Sequence, residues 1–433
     1  MKTVIVNKFF STNFSDGNIE ISVEVDSKKV VQGTIFFALP GKKTHGFNYV
    51  EEAIQKGAIL IVTSQDCPKI DTSVPIIYTC DPLKTLQNFA KFYLQYIDPL
   101  IVAVTGSCGK STTKEFIAKL LSCRYKVGKT IGNQNSQVGL PLSILALKGD
   151  EQVLVLEMGM SEKGNISKLI EIAPPNFCVI TNIDVNHIEF FRSKIGIAEE
   201  KSSILKSKKI SKAYIEKDAY TYSSIKNKCP IETYVFSIEE NIKDNFLNVK
   251  NFSIPIEIFN VHPEHFIKNL IPAIAMALDL GVSQDLILNK IKDLNTLEHR
   301  FQIFKHKDYL IVDDSYNSSL ASLKYGIEET CKQKVQGKKI AVIGAILEQG
   351  ELENLHHQKI AEMLYEKFER VYCIGEPAKI TVKVLNELGG HAEYADTLDR
   401  LACIINLELK NDDLVFLKGS NRFRLWELID KLQ

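Results

Sequence analysis

The chain has 433 residues, of which 45% are hydrophobic and 24% are charged. This length favours about two to four domains of roughly 100–200 residues each, and this composition excludes a disordered, collagen-like or disulfide-stapled protein. Lysine plus arginine and aspartate plus glutamate both number 53. No net field therefore attracts nucleic acid or anionic lipid, and any recognition of phosphate must be local.

Nine cysteines are scattered along the chain without a C-x-x-C pair. This usage is typical of a reducing compartment and predicts neither disulfides nor structural zinc. Residues 1–10 lack the apolar core of a secretory signal, and no apolar stretch reaches the length of a membrane-spanning helix. We therefore expect a cytoplasmic protein, with a monomer as the simplest assembly and with no membrane or nucleic-acid partner.

Residues 1–97 are predicted to form a small α/β domain. Residues 34–38 and 59–62 are apolar runs of strand length, and residues 49–55 have a helical pattern between them. Pro99 disfavours helical geometry in the residue before it. We therefore place the first domain boundary at this point.

Residues 98–307 are predicted to form a central domain with a mostly parallel sheet. Apolar runs of strand length alternate there with helical patterns, which is typical of parallel α/β sheets. Gly281 is a stop signal for the helix predicted before it, and the lysine-rich residues 206–212 predict a solvated helix end. The predicted strands are residues 101–104, 153–156 and 178–180, and the predicted helix is residues 265–280.

Residues 308–433 show the same alternation and are predicted to form a second doubly wound unit, a Rossmann-like domain. The predicted fold class is therefore α/β in three domains: a small N-terminal domain, a central P-loop-type ATPase domain and a C-terminal Rossmann-like domain. The strands predicted in the last domain are residues 310–312, 340–343, 371–374 and 414–417, with a helix over residues 357–368.

The most specific motif is T-G-S-C-G-K-S-T at residues 105–112, directly after a predicted strand. Gly106 and Gly109 allow a tight turn in which backbone N–H groups and the N-terminus of the next helix face an anion. Lys110 would lie beside the β- and γ-phosphates of a nucleotide, and the Ser111 hydroxyl would bind magnesium. The alternative is a chance Gly-Lys-Ser at a helix start, which the order of strand, loop and helix disfavours.

Two further residues fit a metal bound with the phosphates, because a hard cation needs ligands at the ends of neighbouring strands. Glu157 ends a predicted strand in the string E-M-G, and His187 follows another in T-N-I-D-V-N-H. Taken singly, Glu157 is better interpreted as a strand cap and His187 as a hydrogen-bonded turn residue; only their occurrence together with the glycine loop favours metal binding.

The shortened glycine loop, the E-M-G string and the T-N-x-x-x-x-H string occur in an order that resembles the Mur ligases. The resemblance implies ATP as a substrate and Mg²⁺, as two ions, bound by Ser111, Glu157 and His187. It also implies that Lys201 becomes carbamylated, which would convert a cation into a carboxylate able to hold metal. The residues alone favour an exposed helical lysine at Lys201. The catalytic residues implied are Lys110, Glu157, His187 and Lys201.

Other strings resemble the same family and imply its nucleotide and substrate contacts. Asn269 is similar to an asparagine near the adenine, Arg300 to an arginine that joins the domains over ATP, and Asp314 to a ribose or linker aspartate. The implied ATP-binding residues are Thr105, Gly106, Ser107, Cys108, Gly109, Lys110, Ser111, Thr112, Asn269, Arg300 and Asp314. The implied substrate-binding residues are Ser27, Lys28, Asn133, Asn135 and Asn317.

Residues 132–141, G-N-Q-N-S-Q-V-G-L-P, and residues 313–318, D-D-S-Y-N-S, resemble the family members that join D-alanyl-D-alanine to UDP-N-acetylmuramoyl-tripeptide. The resemblance implies that the tripeptide carboxylate becomes an acyl phosphate, which the dipeptide amine then attacks. It assigns residues 1–97 to the UDP-sugar-peptide, residues 98–307 to ATP, and residues 308–433 to closure on ATP and the incoming dipeptide.

Two alternatives stay open. The acceptor could be a different amino acid, or the chain could be a nucleotide-binding scaffold that has lost ligation, against which the complete set of catalytic residues argues. The third residue of the tripeptide is not assigned. Lys28, His45 and Phe47 depart from the family's strings near the uridine site, so the mode of sugar-nucleotide binding is also open.

Overall fold

The computed structural model describes residues 1–15, 20–41, 44–184, 188–191, 193–229, 232–259, 264–294 and 297–432. The chain packs into two compact units. The first comprises Met1–Ile183, Ala198–Ile258 and Lys268–Lys292, and the second comprises Asp184–Ile197, Phe259–Ile267 and Asp293–Gln433. The domain boundaries at residues 97 and 307 stay predictions.

The N-terminal part of the first unit is a four-stranded parallel sheet flanked by helices. Its elements are α1 (Thr3–Phe10), β1 (Ser22–Glu24), β2 (Thr34–Phe37), α2 (Val50–Gln55), β3 (Ala58–Ser64), β4 (Ile76–Thr79) and α3 (Pro82–Ile97). The strands pair in chain order, and all four residues of β2 are buried, as expected for a strand covered on both faces. The predicted strands and helix of this region are confirmed within two residues.

The sequence explains where helix α3 begins and how it packs. The Asp81 side chain accepts the N–H of Lys84 and Pro82 occupies the first turn, which together make a strong helix start. Helix α3 packs against α5 (Gly139–Leu145), which comes later in the chain. The Tyr93 hydroxyl donates to the carbonyl of Leu147 at 2.9 Å, so α3 joins the first sheet to the central one.

The central sheet has six parallel strands in the order β10-β9-β8-β5-β7-β6. Its first elements are β5 (Leu100–Thr105), α4 (Lys110–Leu121), β6 (Val127–Lys129), α5, β7 (Val153–Glu157), α6 (Asn165–Ile172), β8 (Phe177–Ile180), α7 (Ile188–Phe191) and α8 (Lys194–Lys201). Then follow β9 (Lys212–Glu216), α9 (Lys217–Tyr220), α10 (Ser223–Lys226) and β10 (Glu232–Phe236). Because β5 lies between β7 and β8, the carboxyl ends of these three strands meet at one edge, where ligands bind in such sheets.

Beyond this sheet the chain forms α11 (Ile238–Asn241), a small antiparallel sheet of β11 (Ile242–Lys243), β12 (Phe246–Val249) and β13 (Phe252–Pro255), and helices α12 (Glu264–Asp279) and α13 (Gln284–Lys292). The small sheet was not predicted. Helix α12 confirms the predicted helix, and Gly281 has the left-handed φ of 74° that ends helices.

The prediction of a solvated helix end over residues 206–212 is wrong at its C-terminal side. Lys212 begins β9 and is buried, 8% exposed. Its ammonium lies 2.5 Å from Glu232 and 3.2 Å from Asp279. A lysine with two carboxylate partners can be buried, a pairing that the local sequence does not reveal.

The second unit contains a six-stranded sheet in the order β14-β15-β19-β16-β17-β18. Its elements are β14 (Gln302–His306), β15 (Tyr309–Asp313), α14 (Leu320–Cys331), β16 (Lys339–Gly344), α15 (Glu353–Leu364), β17 (Arg370–Ile374), α16 (Ala378–Glu387), β18 (Ala392–Ala395), α17 (Leu398–Glu408) and β19 (Leu414–Lys418). Only β14, among the strands described here, pairs antiparallel. Alternate strand residues enter two apolar clusters, one containing Ala341 and Phe416 and the other Val342 and Val415, so helices cover both faces.

The helix predicted over residues 357–368 is shifted in the structure, where α15 is Glu353–Leu364. Tyr365 is extended and Glu366 has a left-handed φ of 58°, so the helix has ended before Phe368. Phe368 is buried in the core after the helix, at 7% exposure. Its apolar character reflects burial of the following loop rather than a further helical turn.

The membrane prediction can be compared with the described helices. In the described ranges, the structure contains no helix long and apolar enough to cross a bilayer.

Candidate active site

The glycine loop between β5 and α4 is tightly packed. Gly106 has φ 150° and Gly109 has φ 79°, a backbone region that residues with a Cβ rarely adopt. A Cβ on Gly106 would overlap Oγ1 of Thr181, and one on Gly109 would overlap Oδ1 of Asn269. Both positions therefore require glycine. The loop forms the tight turn that its sequence predicts, with Thr181 and Asn269 packed against its backbone.

The segment after β8 fixes this loop from the side. Asn182 accepts the N–H of Ser107 through its carbonyl at 3.1 Å and the N–H of Cys108 through Oδ1 at 2.8 Å. The Thr181 hydroxyl donates to the carbonyl of Cys108 at 2.5 Å. Sequence analysis used this T-N string only for its histidine and missed these two residues. Their polar character at the end of a strand next to β5 was the available signal.

Lys110 opens α4 and folds back over the loop. Its half-buried ammonium donates to the carbonyls of Gly106 at 2.9 Å and Ser107 at 3.3 Å. Its positive charge is thus held at the glycine loop, where the phosphates of a nucleotide bind in loops of this kind.

Ser111 and Glu157 are in contact beside the glycine loop. Glu157 ends β7 beside Val104 of β5 and is 2% exposed. The Ser111 hydroxyl donates to Oε2 of Glu157 at 2.7 Å, and the Asn135 side-chain amide donates to Oε1 at 2.6 Å. Three residues predicted separately from the sequence are therefore in direct contact.

This arrangement fits a magnesium ion by the chemistry of its donors. A carboxylate and a hydroxyl oxygen are hard ligands of the kind that Mg²⁺ prefers, and Ser111 and Glu157 present both within one hydrogen bond of each other. His187, the third predicted ligand, lies outside the described residues.

Lys201 is buried at the same loop, at 2% exposure. Its Nζ donates to the carbonyl of Gly106 at 2.9 Å, the same oxygen that Lys110 uses. Burial, and after it the positive charge of Lys110, hold the pKa of Lys201 well below its usual range. The alternative of an exposed helical lysine is therefore wrong.

Glu200, next to Lys201, anchors the end of α8. It is 5% exposed, and its two oxygens accept the N–H of Gly164 at 2.8 Å and of Ile166 at 2.9 Å. A carboxylate at the start of α6 satisfies backbone donors that the helix leaves unpaired. Sequence analysis missed Glu200, because an isolated acidic residue on a helix is usually solvated.

Lys114, on the inner face of α4, was also missed. It is 1% exposed, and its ammonium donates to the carbonyls of Thr130 at 2.9 Å and Gly132 at 3.0 Å. The Thr130 hydroxyl accepts the N–H of Glu157 at 2.8 Å. Lys114 therefore holds the turn that leads into the loop of Asn133 and Asn135.

The other predicted nucleotide residues of the first unit support the loop. The Thr105 hydroxyl donates to the carbonyl of Met158 at 2.9 Å, and Thr112 is buried at 9% exposure. Oδ1 of Asn269 accepts from the Thr113 hydroxyl at 3.3 Å. Asn133 is exposed, and its carbonyl accepts the N–H of Asn135 at 2.7 Å.

The predicted sugar-nucleotide residues lie in a short 3-10 helix, Ser27–Lys29, between β1 and β2. The Ser27 hydroxyl is buried and donates to Glu52 at 2.8 Å, whereas Lys28 is exposed. His45 accepts the N–H of Phe47 through Nδ1 at 3.0 Å, so the residue that departs from the family string here caps a short turn.

The remaining predicted residues lie in the second unit, with Arg300 before β14 and Asp314 and Asn317 after β15. The buried ammonium of Lys418 donates to Oδ2 of Asp314 at 2.5 Å and to the carbonyl of Asn317 at 3.1 Å. The Arg300 guanidinium lies 4.2 Å from the ring centre of Tyr316. Arg300, Asp314 and Asn317 therefore belong to one cluster within this unit.

A glycine loop of this kind, next to a carboxylate and a hydroxyl suited to a hard cation, is typical of α/β proteins that bind nucleotide phosphates. Comparison with known proteins narrows that class. The Mur ligase middle domain matches residues 104–277, the glutamate ligase domain of the Mur ligases matches residues 299–421, and the catalytic domain of the Mur ligase family matches residues 22–92.

Relatives match along nearly the whole chain. UDP-N-acetylmuramoyl-tripeptide–D-alanyl-D-alanine ligase of Bacillus subtilis is 32% identical over 435 residues, covering 95% of this chain and 92% of the relative. The protein of the same name from Borreliella burgdorferi is 30% identical, covering 94% and 92%. The crystal structure of MurF ligase from Thermotoga maritima in complex with ADP is 28% identical, with a TM-score of 0.78 over 95% of this chain and 96% of that one.

The chain belongs to the Mur ligase family. The resemblance found in the sequence and the three-domain α/β fold class are both confirmed.

Proposed function

We propose that this protein joins D-alanyl-D-alanine to UDP-N-acetylmuramoyl-tripeptide with conversion of ATP to ADP and phosphate, giving the pentapeptide precursor of peptidoglycan. The contact of Ser111 and Asn135 with Glu157 at the glycine loop carries the proposal. It joins the nucleotide loop to Asn135, a residue of the string at residues 132–141 that resembles the family members that add D-alanyl-D-alanine. Relatives of that activity, matching 95% and 94% of the chain, support it.

The chemistry requires ATP because a carboxylate cannot expel oxide at neutral pH. Attack of the tripeptide carboxylate on the γ-phosphorus forms an acyl phosphate and releases ADP. The amine of the dipeptide then attacks the acyl carbon and phosphate leaves. Lys110, held at the loop by the Gly106 and Ser107 carbonyls, neutralises charge on the transferring phosphoryl group.

We propose Ser111, Glu157 and His187 as the residues that hold magnesium. Bound Mg²⁺ would neutralise phosphate charge and orient the triphosphate. Asn135 fixes one oxygen of Glu157 at 2.6 Å, so the other oxygen faces Ser111. Lys114 and Thr130 hold the turn behind these groups.

Lys201 is proposed to be carbamylated. Carbamylation joins the amine nitrogen to the carbon of CO₂ with loss of a proton, which needs the neutral amine. The burial that lowers the pKa of Lys201 favours that neutral form. Incorporation of ¹³CO₂, followed by the carbamate signal in ¹³C NMR, tests this, with Lys201→Arg as the control variant.

The remaining assignments are proposals for the substrates. Ser27 and Lys28 are assigned to the UDP-sugar, Asn133 and Asn135 to the tripeptide, and Asn317 to the incoming dipeptide. Arg300, Asp314 and Asn269 are assigned to ATP. We also propose a cytoplasmic monomer with the three domains divided at residues 97 and 307.

The test is phosphate release from ATP and Mg²⁺ with UDP-N-acetylmuramoyl-tripeptide, with and without D-alanyl-D-alanine, and with the product read by mass. The expected result is release only with both substrates and a product heavier by one dipeptide less water. Release with another amine instead would keep the chemistry and change the acceptor. Nucleotide binding without any release would favour the scaffold alternative.

A further inference from the structure

The turn at residues 299–301, just before β14, has an unusual backbone. His299 has φ 59° and Phe301 has φ 54°, and both are non-glycine residues in the left-handed region. Each such residue is disfavoured by its Cβ, and strain of this kind persists only where the surroundings enforce it. The residue between them is Arg300, which we propose as a nucleotide contact.

The His299 side chain is held on two sides. Its ring stacks on the indole of Trp426, with centres 4.8 Å apart and planes 16° apart. Its Nδ1 lies 2.6 Å from Oδ2 of Asp313. Asp313 is 1% exposed, and its other oxygen accepts the N–H and hydroxyl of Ser315, so it is a fixed partner.

The backbone of the same turn is also held. The N–H of His299 donates to Oε1 of Gln302 at 2.9 Å, and its carbonyl accepts the N–H of Tyr316 at 3.0 Å. Gln302 is the register partner of Asp313 in the hairpin of β14 and β15. Phe301 is buried in the core at 3% exposure. The turn is therefore fixed at both ends, and Arg300 projects from it against the ring of Tyr316.

We infer that His299 is a positioning residue for Arg300: the stack on Trp426 and the bond to Asp313 hold the left-handed turn that places the guanidinium. The inference rests on the proposed function, since it assumes that Arg300 contacts ATP. It assigns to His299 and Trp426 a part in nucleotide affinity that acts through the position of Arg300.

The test uses substitutions that separate backbone strain from the side chain. His299→Gly accepts a positive φ without strain, so it should fold while losing the stack and the bond. Trp426→Leu removes the stack and leaves the bond between His299 and Asp313 in place. Trp426→Phe keeps an aromatic ring beside His299. We expect KM for ATP to rise about tenfold in His299→Gly and somewhat less in Trp426→Leu, with kcat within about twofold of the unsubstituted enzyme. Trp426→Phe should retain most of the affinity for ATP.

Binding gives a second readout, because Trp426 is the only tryptophan in the chain. Titration with ADP should change its emission in the unsubstituted protein, and His299→Gly should lose most of that change. An unchanged KM for ATP in both His299→Gly and Trp426→Leu would overturn the inference alone. So would a fall in kcat and melting temperature with KM unaffected, which is the mark of a merely structural role. No binding of ATP by the unsubstituted protein, measured by calorimetry, would instead overturn the proposed function.

Discussion

The glycine loop of the first unit and the end of β15 in the second unit bury lysines in different ways, although the first unit also contains a buried lysine paired with carboxylates, Lys212. At the glycine loop of the first unit, Lys110 and Lys201 both donate to the carbonyl of Gly106. In the second unit, Lys418 donates to the carboxylate of Asp314 at 2.5 Å. A buried lysine beside a carboxylate is neutralised by the protein itself, whereas lysines that meet carbonyls keep charge, or a neutral amine, for a ligand. The comparison separates lysines suited to chemistry from lysines that hold the structure.

The largest expected effect is on turnover at the glycine loop. Lys110→Ala should lower phosphate release about 1,000-fold, because it removes charge stabilisation from the transferring phosphoryl group. The thermal midpoint should change little. Lys119→Ala, on the last turn of the same helix, is the matched control and should keep normal activity. Near-normal ligation by Lys110→Ala would contradict the ATP site.

The second prediction concerns the paired lysine. Lys418→Met should lower the free energy of unfolding by about 3 kcal/mol, since it leaves the Asp314 carboxylate, 16% exposed, without its cation. Denaturant unfolding measures it. The double variant Lys418→Met with Asp314→Asn should recover part of the loss. If the single variant is as stable as the unsubstituted protein, the contrast between the two units fails.

A third lysine combines both kinds of partner, because the buried Lys114 donates to the carbonyls of Thr130 and Gly132 and also lies 3.3 Å from Oε1 of Glu115. Lys114→Met should cost about 2 kcal/mol of stability, the penalty for leaving the Thr130 and Gly132 carbonyls without a donor. It should also raise KM for the tripeptide substrate, because the turn before Asn133 and Asn135 loosens. Lys148→Met, at an exposed lysine, is the control. Stability loss without any change in KM would limit Lys114 to a structural role.

The smallest predicted effect is a dependence on pH from Lys201. Its pKa is lowered on folding from the usual 10.5, so between the two values the unfolded chain binds more protons. The free energy of unfolding should therefore rise with pH up to about 10.5. Lys201→Met should reduce that slope when both proteins are unfolded by urea at pH 7 and pH 9 in buffer free of CO₂. An identical slope in the two proteins would contradict a depressed pKa.

Much of the fold and part of the site were predictable because their signals are local. Strand ends, the glycine loop and the start of α12 follow from short runs of sequence. The loop motif indicated Ser111, the end of a strand indicated Glu157, and the resemblance to the family indicated Asn135, before the structure placed them together. His187 stays a prediction. Lys114, Glu200 and Asn182 were missed since each acts through a partner 16 to 74 positions away, which a single sequence does not encode locally. The predictions of the end of α15 and of a solvated Lys212 were wrong for the same reason, because both depend on packing against distant parts of the chain.

Helix α3 has a consequence for any attempt to divide the molecule. Its buried face, which includes Leu86, Phe89 and Tyr93, rests on α5, and Gln87 donates to the carbonyl of Gln137 at 3.2 Å. A fragment beginning at residue 98 would expose the apolar surface of α5 to water, and exposed patches of that kind promote aggregation. The first 97 residues therefore also cover the apolar surface of α5, and the change of sheet at residue 98 is a poor place to cut the chain.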